Sequence, residues 1–204
     1  GFGVRADSRG MFTEIAANFP ELTFDMFDYG DVDQDGNTVV VPLHEQVSTL
    51  NEKLDRRVGE NITLLCHSQG CVVAAMSSLH NVERCIFLAP PEVMSVDRMI
   101  KTFGKREGSS VDFEGITKFA RSDGSKTIVP SAYFESIKNV NPKQLFVDAS
   151  KKCKIIIVKA AEDQIVGDTD FSGTDIQVLI VPGDHDFFGK DRPALLNALD
   201  SLLD

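Results

Sequence analysis

A strand pattern meets a helical pattern in the stretch Leu64-Leu65-Cys66-His67-Ser68-Gln69-Gly70-Cys71. Residues 61–66 have the composition of a buried strand, and residues 69–79 have that of a helix. A serine at such a sharp turn takes a strained backbone conformation that lifts its hydroxyl clear of the sheet. Strand and helix crowd around it, so the residues two before and two after must be small, as Cys66 and Gly70 are. The positive end of the following helix favours negative charge at Ser68, which is therefore a candidate nucleophile.

A serine nucleophile needs a base, and the chain has four histidines. His44 and His80 fall on or at the end of predicted helices. His67 adjoins the serine, and we expect its side chain to point to the other side of the strand end. His185 follows a strand pattern at 176–181, so it lies on a loop at the carboxyl end of a strand, where open α/β sheets place their chemistry. We therefore choose His185 as the base.

The base in turn needs an acid that orients it. A β-rich run at 154–159 is followed by Glu162 and Asp163. We choose Asp163 as the acid, and Glu162 and Asp168 remain alternatives because they lie close to it in the sequence.

Taken together, four segments resemble those of the α/β-hydrolase family, and the resemblance runs from Gly1 to Asp204. They are Gly1-Phe2-Gly3 (the end of an H-G-x-G oxyanion loop), His67-Ser68-Gln69-Gly70, Glu162-Asp163-Gln164-Ile165-Val166 and Pro182-Gly183-Asp184-His185. The order serine, acid, histidine is that of the family. Cys66 departs from the family pattern G-x-S-x-G, which has glycine at that position.

The resemblance implies an α/β fold with a mostly parallel sheet, helices on both faces and a small cap. The chain would be a single domain over 1–204, with 91–150 as the cap or lid insertion. It also implies a serine hydrolase in which Ser68 attacks an acyl carbonyl, His185 carries the proton and Asp163 orients His185. Backbone N–H groups of Phe2 and Gln69 would form the oxyanion hole.

The expected substrate is a small carboxylic ester, with a thioester or a C–C bond next to a ketone as variants of the same chemistry. No metal or organic cofactor is needed for it. Two alternatives remain: a non-catalytic ligand-binding module, suggested by Cys66 and the missing oxyanion strand, and a peptidase with the same triad. The histidine and strand that precede Gly-Phe-Gly in the family are absent before Gly1, so we expect the natural chain to be longer.

Composition narrows the classes of partner. The 204 residues carry a net charge of −10, which repels nucleic-acid phosphates and anionic lipid. No apolar run approaches the roughly 20 residues that span a bilayer, and no signal peptide is visible. The four cysteines lie in or beside buried-type runs and are expected to be reduced, which favours a cytoplasmic location. The oligomeric state is not predicted.

Strand and helix patterns alternate along most of the chain, which predicts a parallel sheet covered on both faces. The predicted helices are 8–19, 43–58, 69–79 and 192–202, and the predicted strands are 22–27, 61–66, 84–89, 154–159 and 176–181. The interval 91–150 breaks the alternation. It contains helical patterns at 95–103, 133–138 and 142–149, and a hairpin pattern of 116–121 and 126–129 around Asp123-Gly124. Its apolar residues could line a substrate pocket or form the cap's own core: Met94, Met99, Phe103, Phe113, Phe119, Tyr133 and Phe134.

One further motif has a different expected role. Residues 31–37, Asp-Val-Asp-Gln-Asp-Gly-Asn, resemble the start of a calcium loop. Pro42 stands where such a loop has its final glutamate, so we interpret the segment as an acidic surface turn.

Overall fold

The computed structural model describes residues 1–203. Its helices are α1 (Met11–Asn18), α2 (Leu43–Asp55), α3 (Gln69–Met76), α4 (Val96–Met99), α5 (Ser131–Ile137), α6 (Pro142–Ser150) and α7 (Arg192–Leu203). Its strands are β1 (Thr38–Val39), β2 (Ile62–His67), β3 (Val82–Leu88), β4 (Ile116–Ala120), β5 (Lys126–Pro130), β6 (Lys154–Ala160) and β7 (Gln177–Val181). A π-helical turn, Ile100–Gly104, continues α4, and a 3₁₀ turn, Gly189–Asp191, precedes α7.

The main sheet is parallel, with the strand order β2-β3-β6-β7. The two central strands are nearly continuous apolar runs, as expected for strands buried on both faces. Alternate residues of β3 face opposite sides, so Phe87 belongs to one apolar cluster and Ile86 to the other. The structure thus confirms the predicted α/β fold with helices on both faces.

Each face of the sheet has its own helical layer. Helices α1 and α7 cover one face through buried residues such as Ile15 and Leu199. Helices α2, α3 and α6 cover the other, and α3 is apolar almost all round because it is buried between its neighbours. The carboxyl ends of β2, β6 and β7 lead into the loops that carry Ser68, Asp163 and His185.

The predicted hairpin in the interval 91–150 is confirmed, since β4 and β5 pair antiparallel around a turn with Gly124 at a φ of 86°. The hairpin forms a second sheet of order β1-β5-β4, in which β1 pairs parallel with β5. The second sheet therefore takes one strand from outside the interval. Helix α6, from inside the interval, packs Phe146 against Phe87 of the main sheet, with ring centroids 5.2 Å apart.

The strand prediction for 22–27 is wrong. This segment forms no ladder, and Leu22 and Met26 are exposed. Within residues 1–203 the segment pairs with no strand, and it lies along a cavity of about 500 Å³ that β2 also lines. Its β-rich composition favours an extended backbone, but strand pairing also needs a neighbour within hydrogen-bonding distance. Helix α1 is also shorter than predicted and begins at Met11 rather than at residue 8.

The four cysteines are free thiols. Within residues 1–203, no helix combines the length and apolarity needed to cross a bilayer.

Candidate active site

Ser68 stands at the turn between β2 and α3, with φ 54° and ψ −125°. A non-glycine residue rarely adopts a positive φ, and the cost of roughly 1–3 kcal/mol must be offset by the surroundings. Its backbone N–H donates to the carbonyl of Leu88 at 2.9 Å, which fixes the turn to the neighbouring strand. A methyl group added at Gly70 would lie 3.9 Å from Cβ of Cys66, which is ordinary van der Waals contact. The cysteine that departs from the family pattern therefore fits without strain.

His185 lies between Ser68 and Asp163. Its Nε2 is 3.0 Å from Ser68 Oγ, and its Nδ1 is 2.8 Å from Asp163 Oδ2. Since the carboxylate accepts the Nδ1 proton, the neutral ring keeps Nε2 free to accept the proton of the serine hydroxyl. The structure thus brings together the three residues chosen from sequence.

Asp163 is held in its charged form. Burial alone would raise its pKa, but the His185 ring and the backbone N–H groups of Ile165 and Val166 outweigh burial and lower the pKa below the usual range. Those two N–H groups donate to Oδ1 at 2.7 and 3.2 Å, which leaves Oδ2 for the histidine. The carboxylate is therefore both ionised and fixed in orientation.

The two alternative acids have other partners. Glu162 accepts a hydrogen bond from the backbone N–H of Gly183 at 2.6 Å and thereby ties the acid loop to the histidine loop. Asp168 forms an ion pair with Lys159. Of the other histidines, His44 and His80 are exposed. None of these four side chains bonds His185.

His67 has a role that the sequence did not reveal. Its ring is buried, and the centroids of the His67 and His185 rings lie 4.8 Å apart in a tilted arrangement. Its Nε2 donates to the backbone carbonyl of His185 at 2.8 Å, and its Nδ1 accepts from the hydroxyl of Ser8 at 3.0 Å. Burial, followed by the neighbouring His185, lowers the pKa of His67 well below its ordinary value, which keeps the ring neutral. His67 therefore supports the loop that presents His185.

The proposed oxyanion donors Phe2 and Gln69 both have backbone N–H groups without an acceptor among residues 1–203. The chain near Phe2 lies close to the serine, since a methyl group at Gly1 would be 3.5 Å from Cβ of Ser68. The Gln69 side chain is fixed from two sides. It accepts from the Tyr133 hydroxyl at 2.5 Å and donates to Gln46 at 2.9 Å.

A cavity of about 550 Å³ opens onto Ser68 and His185. Of the seven apolar residues singled out in the interval 91–150, four line this cavity: Met94, Met99, Phe103 and Tyr133. Phe119 and Phe134 are instead buried in the core shared with the main sheet, and Phe113 is exposed. The interpretation as pocket lining thus holds for four of these residues, whereas Phe119 and Phe134 belong to the main core and not to a separate core of the cap.

Two clusters of side chains have residue types that can ligate metals. His67, His185 and Asp186 offer atoms within 4.8 Å of one another, but both nitrogens of each ring already have hydrogen-bond partners. In the segment 31–37, Asp33 accepts from the backbone of Asp35 and Asn37 and from the Asn37 side chain. Its oxygens close a turn, as expected for an acidic surface loop.

The described geometry is that of a hydrolase with a serine, histidine and aspartate in contact. The profile of the serine hydrolase family matches residues 31–132, which is half of the chain and includes Ser68. The chain belongs to the serine hydrolase family.

Solved structures with a similar fold were found, although a search of curated proteins gave no match. Est1E from Butyrivibrio proteoclasticus is 14% identical with a TM-score of 0.62, and the alignment covers 100% of this chain and 84% of that one. A pyrethroid hydrolase from Sphingobium faniae is 12% identical with a TM-score of 0.65, covering 97% and 92%. A monoacylglycerol lipase of Paleococcus ferrophilus is 12% identical with a TM-score of 0.65, covering 100% and 91%. At these identities the likeness shows the α/β-hydrolase fold alone.

Proposed function

We propose that this protein hydrolyses a small carboxylic ester through an acyl-enzyme on Ser68. The observation that carries the proposal is the relay of two hydrogen bonds, 3.0 Å from Ser68 Oγ to His185 Nε2 and 2.8 Å from His185 Nδ1 to Asp163 Oδ2. Nucleophilic acyl transfer requires a serine nucleophile, a histidine base and an acid that orients the base, in contact beside a cavity for the substrate.

The steps follow from the contacts. Ser68 Oγ attacks the acyl carbonyl while His185 Nε2 takes its proton. The backbone N–H groups of Phe2 and Gln69 donate to the oxyanion, and each such donor typically lowers the barrier by about 3–4 kcal/mol. His185 then gives the proton to the leaving alcohol, and the C–O bond breaks. A water molecule, deprotonated by His185, then attacks the acyl carbon. His185 returns the proton to Ser68 Oγ as the bond from Oγ to the acyl carbon breaks, and the acid is released.

An ester is favoured as substrate by two considerations. Structural neighbours include proteins named as an esterase and a monoacylglycerol lipase. The cavity also has apolar walls that suit an acyl chain, supplied by Met94, Met99 and Phe103. We propose that the segment 91–150 covers the site through these residues. A thioester would react by the same steps.

We also propose that the protein acts in the cytoplasm on a small molecule, without a nucleic-acid or membrane partner. The net charge of −10 opposes binding to either polyanionic surface, and four free thiols fit a reducing compartment.

The test is the intact mass of the protein after incubation with a fluorophosphonate. We expect one adduct on native protein and none on unfolded protein or on Ser68→Ala, whose fold should be unchanged. The matched control is Ser78→Ala. Ser78 is an exposed serine that lies 2.7 Å from a histidine, His80, but this pair has no acidic residue to complete a triad. This variant should label like the unaltered protein. If folded protein does not react, the non-catalytic binding module becomes the better description.

A further inference from the structure

The cavity beside Ser68 is rich in arginine although the protein as a whole is acidic. Four of its lining residues are arginines, Arg9, Arg98, Arg106 and Arg121, in a chain with net charge −10. Two of them have carboxylate partners: Arg9 lies 3.1 Å from Asp186, and Arg98 lies 3.8 Å from Glu92. Arg106 and Arg121 have no carboxylate within 4.0 Å among residues 1–203. Positive charge in this cavity is thus left without an internal partner.

Arg121 is the more buried of these two unpaired cations. Its Nε donates to Thr127, and one Nη2–H donates to the Phe2 carbonyl at 2.9 Å. Since a guanidinium has five N–H donors, these two bonds leave three donors without a partner in the described part of the chain. Burial, together with the charges of Arg9 and Arg106, lowers the pKa of Arg121 to about 10, so the group is still charged at neutral pH.

The surrounding chain is shaped around this guanidinium. Gly3 has a φ of 60°, and a methyl group there would collide with Arg121 and Thr127. The centroid of the Phe103 ring lies 5.1 Å from the guanidinium carbon of Arg121 and 5.0 Å from that of Arg106. Both cations therefore contact the same aromatic ring. Phe2, whose N–H is the proposed oxyanion donor, is bonded through its carbonyl to Arg121.

The charges of Asp123 and Asp186 act on Arg121, but neither carboxylate forms an ion pair with it. Glu162 and Asp184 accept bonds from backbone N–H groups of the histidine loop, and Asp186 is paired with Arg9. All three belong to the loops around Asp163 and His185, whereas Arg121 directly follows β4 and Arg106 donates to the carbonyl of Ala120, the last residue of that strand. The cavity therefore has a positive end formed by Arg121 and Arg106.

We propose that Arg121, assisted by Arg106, binds a carboxylate carried by the substrate, so that the preferred substrates are anionic esters. A planar guanidinium with unused donors matches the two oxygens of a carboxylate. This inference rests on the proposed function, since it names the class of ester cleaved at Ser68. Arg121 is thereby a specificity residue in addition to an anchor for Phe2.

The kinetic test compares two esters that differ only at the far end of the acyl chain. The p-nitrophenyl ester of hexanoate is neutral there, and the mono-p-nitrophenyl ester of adipate has a carboxylate in place of the terminal methyl. We expect a kcat/KM ratio, adipate over hexanoate, of at least about tenfold, falling as salt is raised. The pair phenyl acetate and para-acetoxybenzoate examines a carboxylate on the leaving group in the same way.

Variants distinguish two roles of Arg121, binding the substrate carboxylate and holding Phe2 in place. Arg121→Gln should lower the anionic-to-neutral ratio by about tenfold or more, and exposed Arg106→Gln by about threefold. Arg121→Lys keeps the positive charge but lacks the planar guanidinium that can donate two parallel bonds, so it should give an intermediate ratio. The control is Arg56→Gln at the end of α2, where the side chain is 78% exposed and lies 4.0 Å from Glu52. If Arg121 only anchors Phe2, both esters slow equally and the ratio does not change, which overturns the inference.

A binding measurement tests carboxylate recognition independently of ester hydrolysis. Calorimetry on Ser68→Ala with hexanoate and with hexanamide should show tighter binding of the carboxylate, and adding Arg121→Gln should remove the difference. If unaltered protein cleaves neither ester but this binding is seen, the site holds and the hydrolase proposal fails. If both esters are cleaved without preference for charge and hexanoate does not bind better than hexanamide, the inference fails and the hydrolase proposal stands.

Discussion

Replacing His67 with phenylalanine tests how the histidine loop is held in place. The change keeps a planar ring in the buried site and removes both hydrogen bonds of the imidazole, one to the carbonyl of His185 and one to the hydroxyl of Ser8. Ser8 is 3% exposed, so water does not readily replace its lost bond, whereas the carbonyl of His185 belongs to a half-buried residue. The variant should therefore be less stable and should present His185 less accurately.

The size of the stability loss follows from the orphaned groups. A buried polar group left without a partner costs about 1–3 kcal/mol. The Ser8 hydroxyl is such a group and the half-buried His185 carbonyl adds less, so the free energy of unfolding should fall by about 2 kcal/mol near neutral pH. For a chain of this length, about 2 kcal/mol corresponds to a fall in Tm of about 4–8 °C.

The stability loss should also depend on pH, with a sign fixed by the pKa of His67. Burial and the neighbouring His185 lower that pKa in the folded protein, whereas the unfolded chain titrates near 6.5. Below about pH 6.5 the unfolded state therefore binds more protons at this residue than the folded state, and the unaltered protein loses stability as pH falls. His67→Phe lacks this loss, so its disadvantage should shrink by up to about 2 kcal/mol between about pH 7 and pH 5.

Urea unfolding at both pH values measures this difference, and exposed His80→Phe is the control with an expected cost below about 0.5 kcal/mol. The rate of fluorophosphonate labelling at Ser68 gives the second readout and should fall about 10–100-fold, as expected for a displaced base. A disadvantage that stays constant or grows toward pH 5 would show that His67 is not held neutral. An unchanged labelling rate would show that it does not position His185.

Two further substitutions address the acid and the oxyanion side. Asp163→Asn should cut turnover by a factor on the order of 10⁴, because an amide that still accepts the loop N–H bonds turns its NH₂ toward His185 and favours the wrong tautomer. Glu162→Gln keeps an acceptor for the loop and should cost less than about tenfold; steady-state kinetics would reject the assignment of the acid if the two effects were reversed. Tyr133→Phe leaves a buried amide oxygen unpaired and should lower the free energy of unfolding by about 1–3 kcal/mol, measured by urea unfolding. Tyr29→Phe, whose hydroxyl has no partner among residues 1–203, is the control and should cost less than about 0.5 kcal/mol.

Local signals were enough to predict the parts of the fold that depend on neighbouring residues. The change from strand to helix around Ser68 is visible in apolar spacing, and the turn at Asp123-Gly124 has the chemistry that a hairpin needs. The segment 22–27 failed because its composition specifies an extended backbone but not a partner strand. Similarly, nothing near residue 38 indicates that β1 pairs with β5, nearly ninety residues away.

Site residues divide in the same way. Ser68, Asp163 and His185 could be proposed from their positions after strands, because the carboxyl ends of parallel strands share one edge. The contribution of His67 depends on contacts with Ser8 and the His185 carbonyl, which are 59 and 118 residues away in sequence. The unpaired charge of Arg121 is equally invisible in sequence, because it requires knowing which carboxylates do not reach it.

The way the histidine loop is held differs from the way the arginines are held. Three side chains from outside the loop bond its backbone: Glu162 bonds Gly183, His67 bonds His185, and buried Arg192 bonds the carbonyls of residues 186 and 187. Such bonds do not depend on the loop's own side chains, so they fix the position of the base whatever substrate enters. Arg121 lies in the hairpin and Arg106 beside it, and Arg121 keeps N–H donors without a partner among residues 1–203. Under the proposed function, the reaction and the choice of substrate are assigned to separate segments, and we expect changes in the hairpin to alter which ester is preferred without moving His185.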